Sequence, residues 1–161
     1  MLAALDLRLL RLLRTRGHWP PFERVVRTYA TAGENGLLWH GLAAAGLVLD
    51  GDGRRAYRRT MRITLVTLVA NTAVKHLVRR ARPVLEAELP ALVPTLSGRS
   101  YPSAHSSTSF AAAGALAHAL PAPPLYLAAT AMALSRPYLG VHYPSDIVAG
   151  ALLGRALERL L

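Results

Sequence analysis

Two amphipathic segments open the chain. Within residues 1–14, arginines alternate with leucines at helical spacing, and the apolar stripe consists of Leu2, Leu5, Leu9 and Leu12. Residues 22–32 repeat the pattern between Pro20-Pro21 and Gly33, with a stripe of Phe22, Val25, Val26 and Tyr29. A helix with one apolar and one arginine-bearing face is suited to a membrane surface. Residues 1–33 are therefore predicted to form interfacial helices.

Five longer apolar segments follow, separated by polar or proline-containing stretches. They cover residues 36–49, 63–78, 107–120, 124–135 and 145–161. The charged stretch 50–62 contains two aspartates and five arginines, and it is expected to form a turn. Residues 84–101 include Glu86, Glu88 and Arg99 and have no clear periodicity, so they are predicted to form a loop.

The apolar segments favour an all-α integral membrane bundle of about five spans, preceded by the interfacial helices. None of them reaches the roughly 18 uninterrupted apolar residues typical of a span, so a soluble helical bundle stays open. The membrane interpretation is favoured because polar residues cluster at the segment ends and small residues permit close helix contact. These small residues are Gly46, Gly114, Gly150 and Gly154. With no linker or repeat, residues 1–161 are predicted to form a single domain.

Composition supports this interpretation and excludes several classes of protein. The chain has 161 residues, of which 52% are hydrophobic and 17% charged, which excludes a disordered chain. The absence of cysteine excludes disulfides, thiolate metal sites and a cysteine nucleophile. The net charge of +10 suits anionic lipid better than nucleic acid, because nucleic-acid binders are seldom so apolar. Lys75 is the one lysine among 19 basic residues.

Three polar clusters lie at the ends of apolar segments, and the first contains Lys75 and Arg82-Pro83. The two cations are seven residues apart, so a continuous helix would place them on one face. Cations at the end of a span can simply reach toward the membrane interface. A lysine kept in an arginine-rich chain instead indicates a need for a compact charge.

The second cluster is Pro102-Ser103-Ala104-His105, directly before an apolar segment. A Pro-Ser pair at this place is ordinary helix-capping chemistry. The N-terminus of a helix is also an anion site, and a histidine in its first turn would face the anion.

The third cluster is Ser135-Arg136 followed by His142 and Asp146. Asp146 follows His142 by four residues, close enough to accept a hydrogen bond from its ring and select the tautomer. Such a pair is structural about as often as it is catalytic. Taken together, however, the clusters offer cations, backbone donors and two histidines, a set that suits phosphoryl transfer.

The clusters resemble the three motifs of the type 2 phosphatidic acid phosphatase superfamily, which read K-x6-R-P, P-S-G-H and S-R-x5-H-x3-D. All the spacings match, and the one departure is Ala104 in place of glycine. Alanine keeps the backbone N–H, provided that the position does not need a positive φ. The resemblance covers residues 75–146 and implies a helical membrane bundle that acts on lipid phosphates.

The resemblance also implies a role for each motif residue. His142 would attack phosphorus, Asp146 would orient its ring, and His105 would protonate the leaving oxygen and then activate water. The phosphate would be held by Lys75, Arg82, Ser103, Ala104 and Arg136. No metal or other cofactor is expected, because the sequence lacks a carboxylate cluster or a metal-spaced histidine set. The loop 84–101 would cover the site, with Glu34 and Asn35 at its entrance.

The span prediction also orients the site. If the five segments span, all three clusters fall on one side of the membrane, and most arginines of the spanning domain fall on the other. The positive-inside rule then places the site on the extracytoplasmic face, although six arginines in the N-terminal helices oppose this. The oligomeric state stays open.

The expected substrate is a polyprenyl-linked phosphate monoester such as decaprenylphosphoryl-5-phosphoribose. Undecaprenyl diphosphate, phosphatidate and phosphatidylglycerol phosphate are the alternatives within the family. A vanadium haloperoxidase uses similar motifs in a soluble setting, and a non-catalytic lipid-binding protein of the same fold is a further alternative.

Overall fold

The computed structural model of the protein describes residues 2–85, 89–95 and 97–161. These residues form seven α-helices, with a 3-10 turn at Glu34–Gly36 between the second and third. The helices are α1 (Leu2–Thr15), α2 (Pro20–Ala32), α3 (Leu37–Leu49), α4 (Arg54–Val78), α5 (Ala104–Leu116), α6 (Ala122–Tyr138) and α7 (Pro144–Leu160). Within the described ranges the β structure is limited to a single bridge between Ala81 and Arg99. The prediction of an all-helical fold is confirmed.

Helix α5 is the centre of the bundle and is surrounded by α4, α6 and α7. Nearly all of its residues are buried, and most are alanine, serine or glycine. These small side chains let the neighbouring backbones approach closely. A Cβ added to Gly154 of α7 would collide with the carbonyl of Ser107, and one added to Gly150 would lie 2.6 Å from the carbonyl oxygen of Ser103. Gly150 and Gly154 therefore set how closely α7 packs on α5.

Helix α4 begins earlier than the apolar pattern predicts. The expected turn over residues 50–62 is confined to residues 50–53, and the arginines from Arg54 onward lie on α4. The Asp50 carboxylate holds this short turn by accepting hydrogen bonds from the N–H groups of Asp52 and Gly53 and from the Tyr57 hydroxyl. Arginine is a good helix former, so the charged residues extend the helix once the turn is closed. At 25 residues, α4 is about 37 Å long.

Helix α1 exposes most of its leucines and buries two of its charged residues, Asp6 and Arg14. Leu5, Leu9 and Leu12 are about 40 to 50% exposed, whereas Asp6, Leu10 and Arg14 are buried. The buried residues recur every four positions and form one face of the helix, which packs on α6 and α7.

Large apolar side chains also cover the outside of α3, α4, α6 and α7. Those more than half exposed include Val48, Leu49, Leu65, Val69, Leu77, Leu127, Val148 and Leu152. Among the helices that the structure describes, none is both long and apolar enough to cross a membrane. Part of the interior is polar, since Thr60, Thr64 and Thr67 of α4 are fully buried.

Candidate active site

The three sequence clusters meet at one cavity of about 470 Å³, where α4 ends and α5 begins. Each cluster contributes lining residues, namely Lys75 and Arg82, Ala104 and His105, and Arg136 and His142. The cavity is also lined by Glu34 and Asn35 from the turn between α2 and α3. Among the described residues, no cluster of three histidine, cysteine or acidic side chains forms a candidate metal site.

Lys75 and Arg82 reach the cavity from different backbone structures, not from one helix face as predicted. Helix α4 ends at Val78, and Arg79 follows in the left-handed conformation with φ of 54°. A residue that precedes a proline avoids the helical conformation, so Pro83 keeps Arg82 out of a helix. The Arg82 backbone and side chain are instead anchored on the loop, through hydrogen bonds to the carbonyls of Gly98 (3.1 Å) and Ser97 (2.7 Å).

The described part of the loop 84–101 contributes residues to the lining of the cavity. Pro94, Thr95 and residues 97–99 line it, and Lys75 Nζ lies 3.5 Å from the Arg99 carbonyl oxygen. Glu86 and Glu88 lie outside the described residues. The loop therefore forms one wall of the cavity and orients both basic residues of the first cluster.

His142 lies between the carboxylate of Asp146 and the guanidinium of Arg82. Its Nδ1 atom is 3.5 Å from Asp146 Oδ2, and its Nε2 atom is 3.2 Å from Arg82 Nη1. A guanidinium only donates hydrogen bonds, so Nε2 is the unprotonated nitrogen and Nδ1 carries the proton. The Nδ1–H points toward Asp146 but has no hydrogen bond within normal geometry. A small movement of the His142 ring toward Asp146 would form a hydrogen bond between Nδ1–H and Oδ2.

The environment of His142 keeps its ring neutral. Burial is the largest influence and lowers the pKa of His142 to about 3; Asp146 opposes this shift, and Arg82 and nearby cations add to it. At neutral pH the Nε2 lone pair is therefore available, next to the cations that would bind a phosphate.

Asp146 is completely buried in the first turn of α7. Its Oδ2 atom accepts a hydrogen bond from the Tyr143 N–H at 2.9 Å and so caps the helix. Its Oδ1 atom accepts from Arg80 Nη1 at 2.9 Å. These two bonds hold the carboxylate behind the His142 ring, and Asp146 itself does not line the cavity.

His105 is oriented by helix α2. Its Nε2 atom lies 3.0 Å from the Ala30 carbonyl oxygen, which can only accept, so Nε2 carries the proton. The Nδ1 atom is then left for proton exchange in the cavity. Sequence spacing gave no indication of this contact, because it joins residues 75 positions apart.

The second cluster forms the N-terminus of α5. Ser103 is fully buried, its Oγ accepts from the Ser106 N–H at 3.4 Å, and its side chain does not line the cavity. The Ser103 hydroxyl therefore caps the helix in this structure, and the phosphate contact expected of Ser103 stays a prediction. Ala104 is the first residue of the helix and does not have a positive φ, so glycine is not required there. Ala104 and His105 line the cavity, and their N–H groups, in the first turn, have no intrahelical acceptors and can bind an anion.

Two further residues, Arg80 and Asn71, support the site through hydrogen bonds, and sequence reasoning did not single them out. Arg80 donates to Asp146 and also pairs with Asp6 of α1 at 2.8 Å. Asn71 of α4 donates to Ser107 Oγ and the Pro102 carbonyl, supporting the start of α5 from the cavity wall. The sequence did contain a signal for each of these contacts. Asp6 is the one acidic residue in the leucine–arginine segment 1–14, and Asn71 is the one amide in the apolar segment 63–78.

Among the described residues, four basic side chains, including that of Arg99, and one carboxylate line the cavity. Lys75, Arg82 and Arg136 line the cavity, Arg136 is 6% exposed, and its Nε has no hydrogen-bond partner. Burial lowers the pKa of Arg82, whereas Asp146 and Glu34 oppose this change. A cationic cavity with a neutral histidine and a helix N-terminus has the parts needed to bind and transfer a phosphoryl group.

A family model and the named relatives of this chain point to the same family of phosphatases. Residues 59–161 match the sequence model of the PAP2 superfamily. Decaprenylphosphoryl-5-phosphoribose phosphatase of Mycolicibacterium smegmatis is 38% identical over 124 residues, which cover 77% of this chain and 68% of that protein. The protein of that name from Mycobacterium tuberculosis is 38% identical over 132 residues, covering 80% of this chain and 72% of that protein.

Two solved structures share the fold. The crystal structure of Aquifex aeolicus LpxE has a TM-score of 0.78 and 25% identity, covering 97% of this chain and 93% of that chain. A transmembrane PAP2-type phosphatidylglycerolphosphate phosphatase from Bacillus subtilis also has a TM-score of 0.78, at 21% identity, covering 99% of this chain and 83% of that chain.

The matched segment contains the residues of all three motifs, from Lys75 to Asp146, and ends with the helix that packs on α5. The family prediction made from the motif spacings is therefore confirmed. This chain belongs to the PAP2 superfamily and is a phosphoric monoester hydrolase.

Proposed function

We propose that the protein hydrolyses a phosphate monoester on a polyprenyl-linked membrane lipid through a phosphohistidine, without a metal ion. The observation that carries this proposal is the position of His142, whose unprotonated Nε2 lies beside Arg82 while Asp146 lies behind its ring. The substrate class comes from the relatives named decaprenylphosphoryl-5-phosphoribose phosphatase.

In the first step, the His142 Nε2 lone pair attacks phosphorus and the bond from phosphorus to the substrate oxygen breaks. Lys75, Arg82 and Arg136 neutralise the non-bridging oxygens, and the N–H groups at the start of α5 add donors. For this step His105 is the doubly protonated imidazolium, which takes up its second proton at Nδ1 when the anionic phosphate binds. It gives that Nδ1 proton to the leaving oxygen. The Asp146 carboxylate stabilises the positive charge that develops on the His142 ring.

In the second step, water attacks the phosphohistidine. His105 Nδ1 accepts a proton from the water, the phosphorus–nitrogen bond breaks, and inorganic phosphate leaves. The proton on Nδ1 restores His105 for the next turnover, and His142 returns to its neutral form.

We place the protein in a membrane, with α3 to α7 as the embedded bundle and α1 and α2 at the interface. The exposed apolar side chains on the outside of the bundle support this setting, as does the transmembrane relative of the same fold. The cavity lies at the Lys75 end of α4, and arginines crowd the opposite end. This distribution supports an extracytoplasmic active site. The arginines at that end are Arg54, Arg55, Arg58, Arg59, Arg62, Arg155 and Arg159.

Glu34 favours a substrate whose leaving group carries hydroxyls. A carboxylate in a cationic cavity repels anionic groups, but it accepts strong hydrogen bonds from hydroxyls. The Glu34 carboxylate forms no hydrogen bond or ion pair with the part of the chain that the structure describes, although its charge acts on Arg82. Asn35 beside it offers both a donor and an acceptor. A pentose that bears the phosphate has hydroxyl groups that can hydrogen-bond to Glu34 and Asn35. A diphosphate, whose leaving group is itself anionic at the cleaved bond, does not.

The function is tested by measuring initial rates of phosphate release from a panel of lipids in one detergent, with EDTA present throughout. We expect kcat/KM to be highest for decaprenylphosphoryl-5-phosphoribose and lower for undecaprenyl diphosphate, phosphatidate and phosphatidylglycerol phosphate. Vanadate is expected to inhibit, because the same cations bind it. A requirement for Mg²⁺ would overturn the mechanism, whereas preference for another lipid would overturn only the substrate.

Substitution of Glu34 by glutamine tests the hydroxyl contact. We expect the ratio of kcat/KM for the ribose phosphate lipid to that for undecaprenyl diphosphate to fall about tenfold, since a charge-assisted hydrogen bond and a repulsion are both lost. Asp52→Asn, which neutralises an exposed acid outside the cavity lining, is the matched control. Equal changes in kcat/KM on both substrates would show that Glu34 does not select the leaving group.

A further inference from the structure

Helix α1 inserts a buried carboxylate next to the catalytic apparatus. Asp6 is 3% exposed and accepts hydrogen bonds from Arg80 Nη2 at 2.8 Å and from the N–H of Ser145 at 2.9 Å. The Ser145 hydroxyl donates to the same carboxylate. Burial opposes ionisation of this acid, but the bonds from Arg80 and Ser145 outweigh it, so the pKa of Asp6 lies below its ordinary value. Asp6 is thus a buried anion at neutral pH.

Arg80 links this anion to Asp146. One of its terminal nitrogens donates to Asp6, and the other donates to Asp146 Oδ1 at 2.9 Å and to Ser145 Oγ at 2.7 Å. The guanidinium also lies 4.0 Å from the ring centroid of Tyr143. Only the planar fork of arginine can reach two carboxylates in this way. A continuous chain therefore runs from α1 through Arg80 and Asp146 to His142.

We propose that Asp6 and Arg80 are positioning residues that set the orientation and the effective charge of Asp146 toward His142. This inference rests on the proposed role of Asp146 in hydrolysis. Two carboxylates share one guanidinium, so the group as a whole carries one negative charge. Without Asp6, the charge of Arg80 would cancel that of Asp146, and the cation forming on His142 would lose most of its stabilisation.

The proposal gives α1 a part in the reaction, although it lies outside the segment that matches the superfamily. A second contact keeps α1 in this place, since buried Arg14 donates to the Pro90 carbonyl at 3.0 Å. Arg14 also packs near the position of a Cβ on Gly140, in the turn that leads to His142. Helix α1 thus contacts both sides of the segment that carries the nucleophile.

The test is a double-mutant cycle on phosphate release, with Asp6→Asn measured in the wild-type and Asp146→Asn backgrounds. Asparagine preserves the shape of the side chain and an acceptor for Ser145, and thermal unfolding in the assay detergent monitors the fold. In the wild-type background we expect kcat to fall on the order of tenfold with KM within about twofold. In the Asp146→Asn background we expect a change within about twofold, because Asp6 acts through that carboxylate.

Arg80→Lys provides a second, independent variant. A lysine cannot bridge both carboxylates, so we expect a similar loss of kcat and little further loss on adding Asp6→Asn. Asp52→Asn serves as the control and should retain wild-type kcat. Equal fold losses from Asp6→Asn in both backgrounds would indicate a structural role and overturn the proposal. An inactive wild type would instead overturn the proposed function on which it rests.

Discussion

Replacement of His142 by alanine is expected to abolish phosphate release, with kcat lowered by at least about 10⁴-fold. His142 Nε2 is an unprotonated nitrogen held against Arg82 in a cavity lined by basic side chains, and alanine leaves no group in its place. The other lining histidine with an assigned role, His105, is held on the Ala30 carbonyl through Nε2 and serves as acid and base. The measurement combines phosphate release with trapping of an acid-labile phosphoenzyme, which should disappear with the activity.

His118→Ala is the matched control for this variant. Its side chain is 65% exposed and lies near Glu158 at the other end of α5, so kcat should stay near the wild-type value. The vanadate-binding affinity of the His142 variant reports on the cations, which the substitution leaves in place. A His142→Ala protein that kept activity within about tenfold of wild type would show that another group attacks phosphorus.

Replacement of Asp146 by asparagine is expected to lower kcat on the order of 10³-fold or more, with a smaller change in KM. The carboxylate serves two sets of donors, since Oδ2 faces His142 and Tyr143 while Oδ1 faces Arg80. An asparagine NH₂ group must point a donor at one of these sets, and the neutral amide no longer stabilises a cationic ring. Both the tautomer and the charge of His142 are therefore affected.

The second effect of Asp146→Asn is on stability, because the carboxylate also caps α7. We expect the free energy of unfolding to fall by about 1–3 kcal/mol, which thermal unfolding in detergent can detect. Asp52→Asn again provides the neutralised surface acid for comparison. If Asp146→Asn lost stability but kept kcat within about threefold, Asp146 would be a helix cap without a part in the reaction.

Much of the helical architecture could be predicted from the periodicity of apolar residues. Segments such as 22–32 and 124–135 coincide closely with α2 and α6, because one side of each helix must be apolar to pack. The ends were less predictable. The arginines after Gly53 extend α4 by about two and a half turns, because the Asp50 turn is closed by hydrogen bonds that hydropathy does not report.

The sequence predicted which residues form the site better than it predicted the contacts that those residues make. The motif spacings identified Lys75, Arg82 and His142, and all three line one cavity. The spacing also predicted that Lys75 and Arg82 share one face of a continuous helix. This prediction was wrong for a local reason, since α4 ends at Val78 and Pro83 keeps the residue before it out of a helix. The phosphate contact of Ser103 stays a prediction.

The sequence by itself determined the helical class, the superfamily and the residue types of the site, because periodicity and motif spacing are local properties of the chain. Only the tertiary structure decided which nitrogen of His142 faces Arg82, which carbonyl orients His105, and that Asp6 reaches Arg80. These contacts join residues 60 to 75 positions apart, and they depend on how closely the helices pack. Small residues such as Gly150 and Gly154 set that distance, and with it the geometry of the catalytic groups.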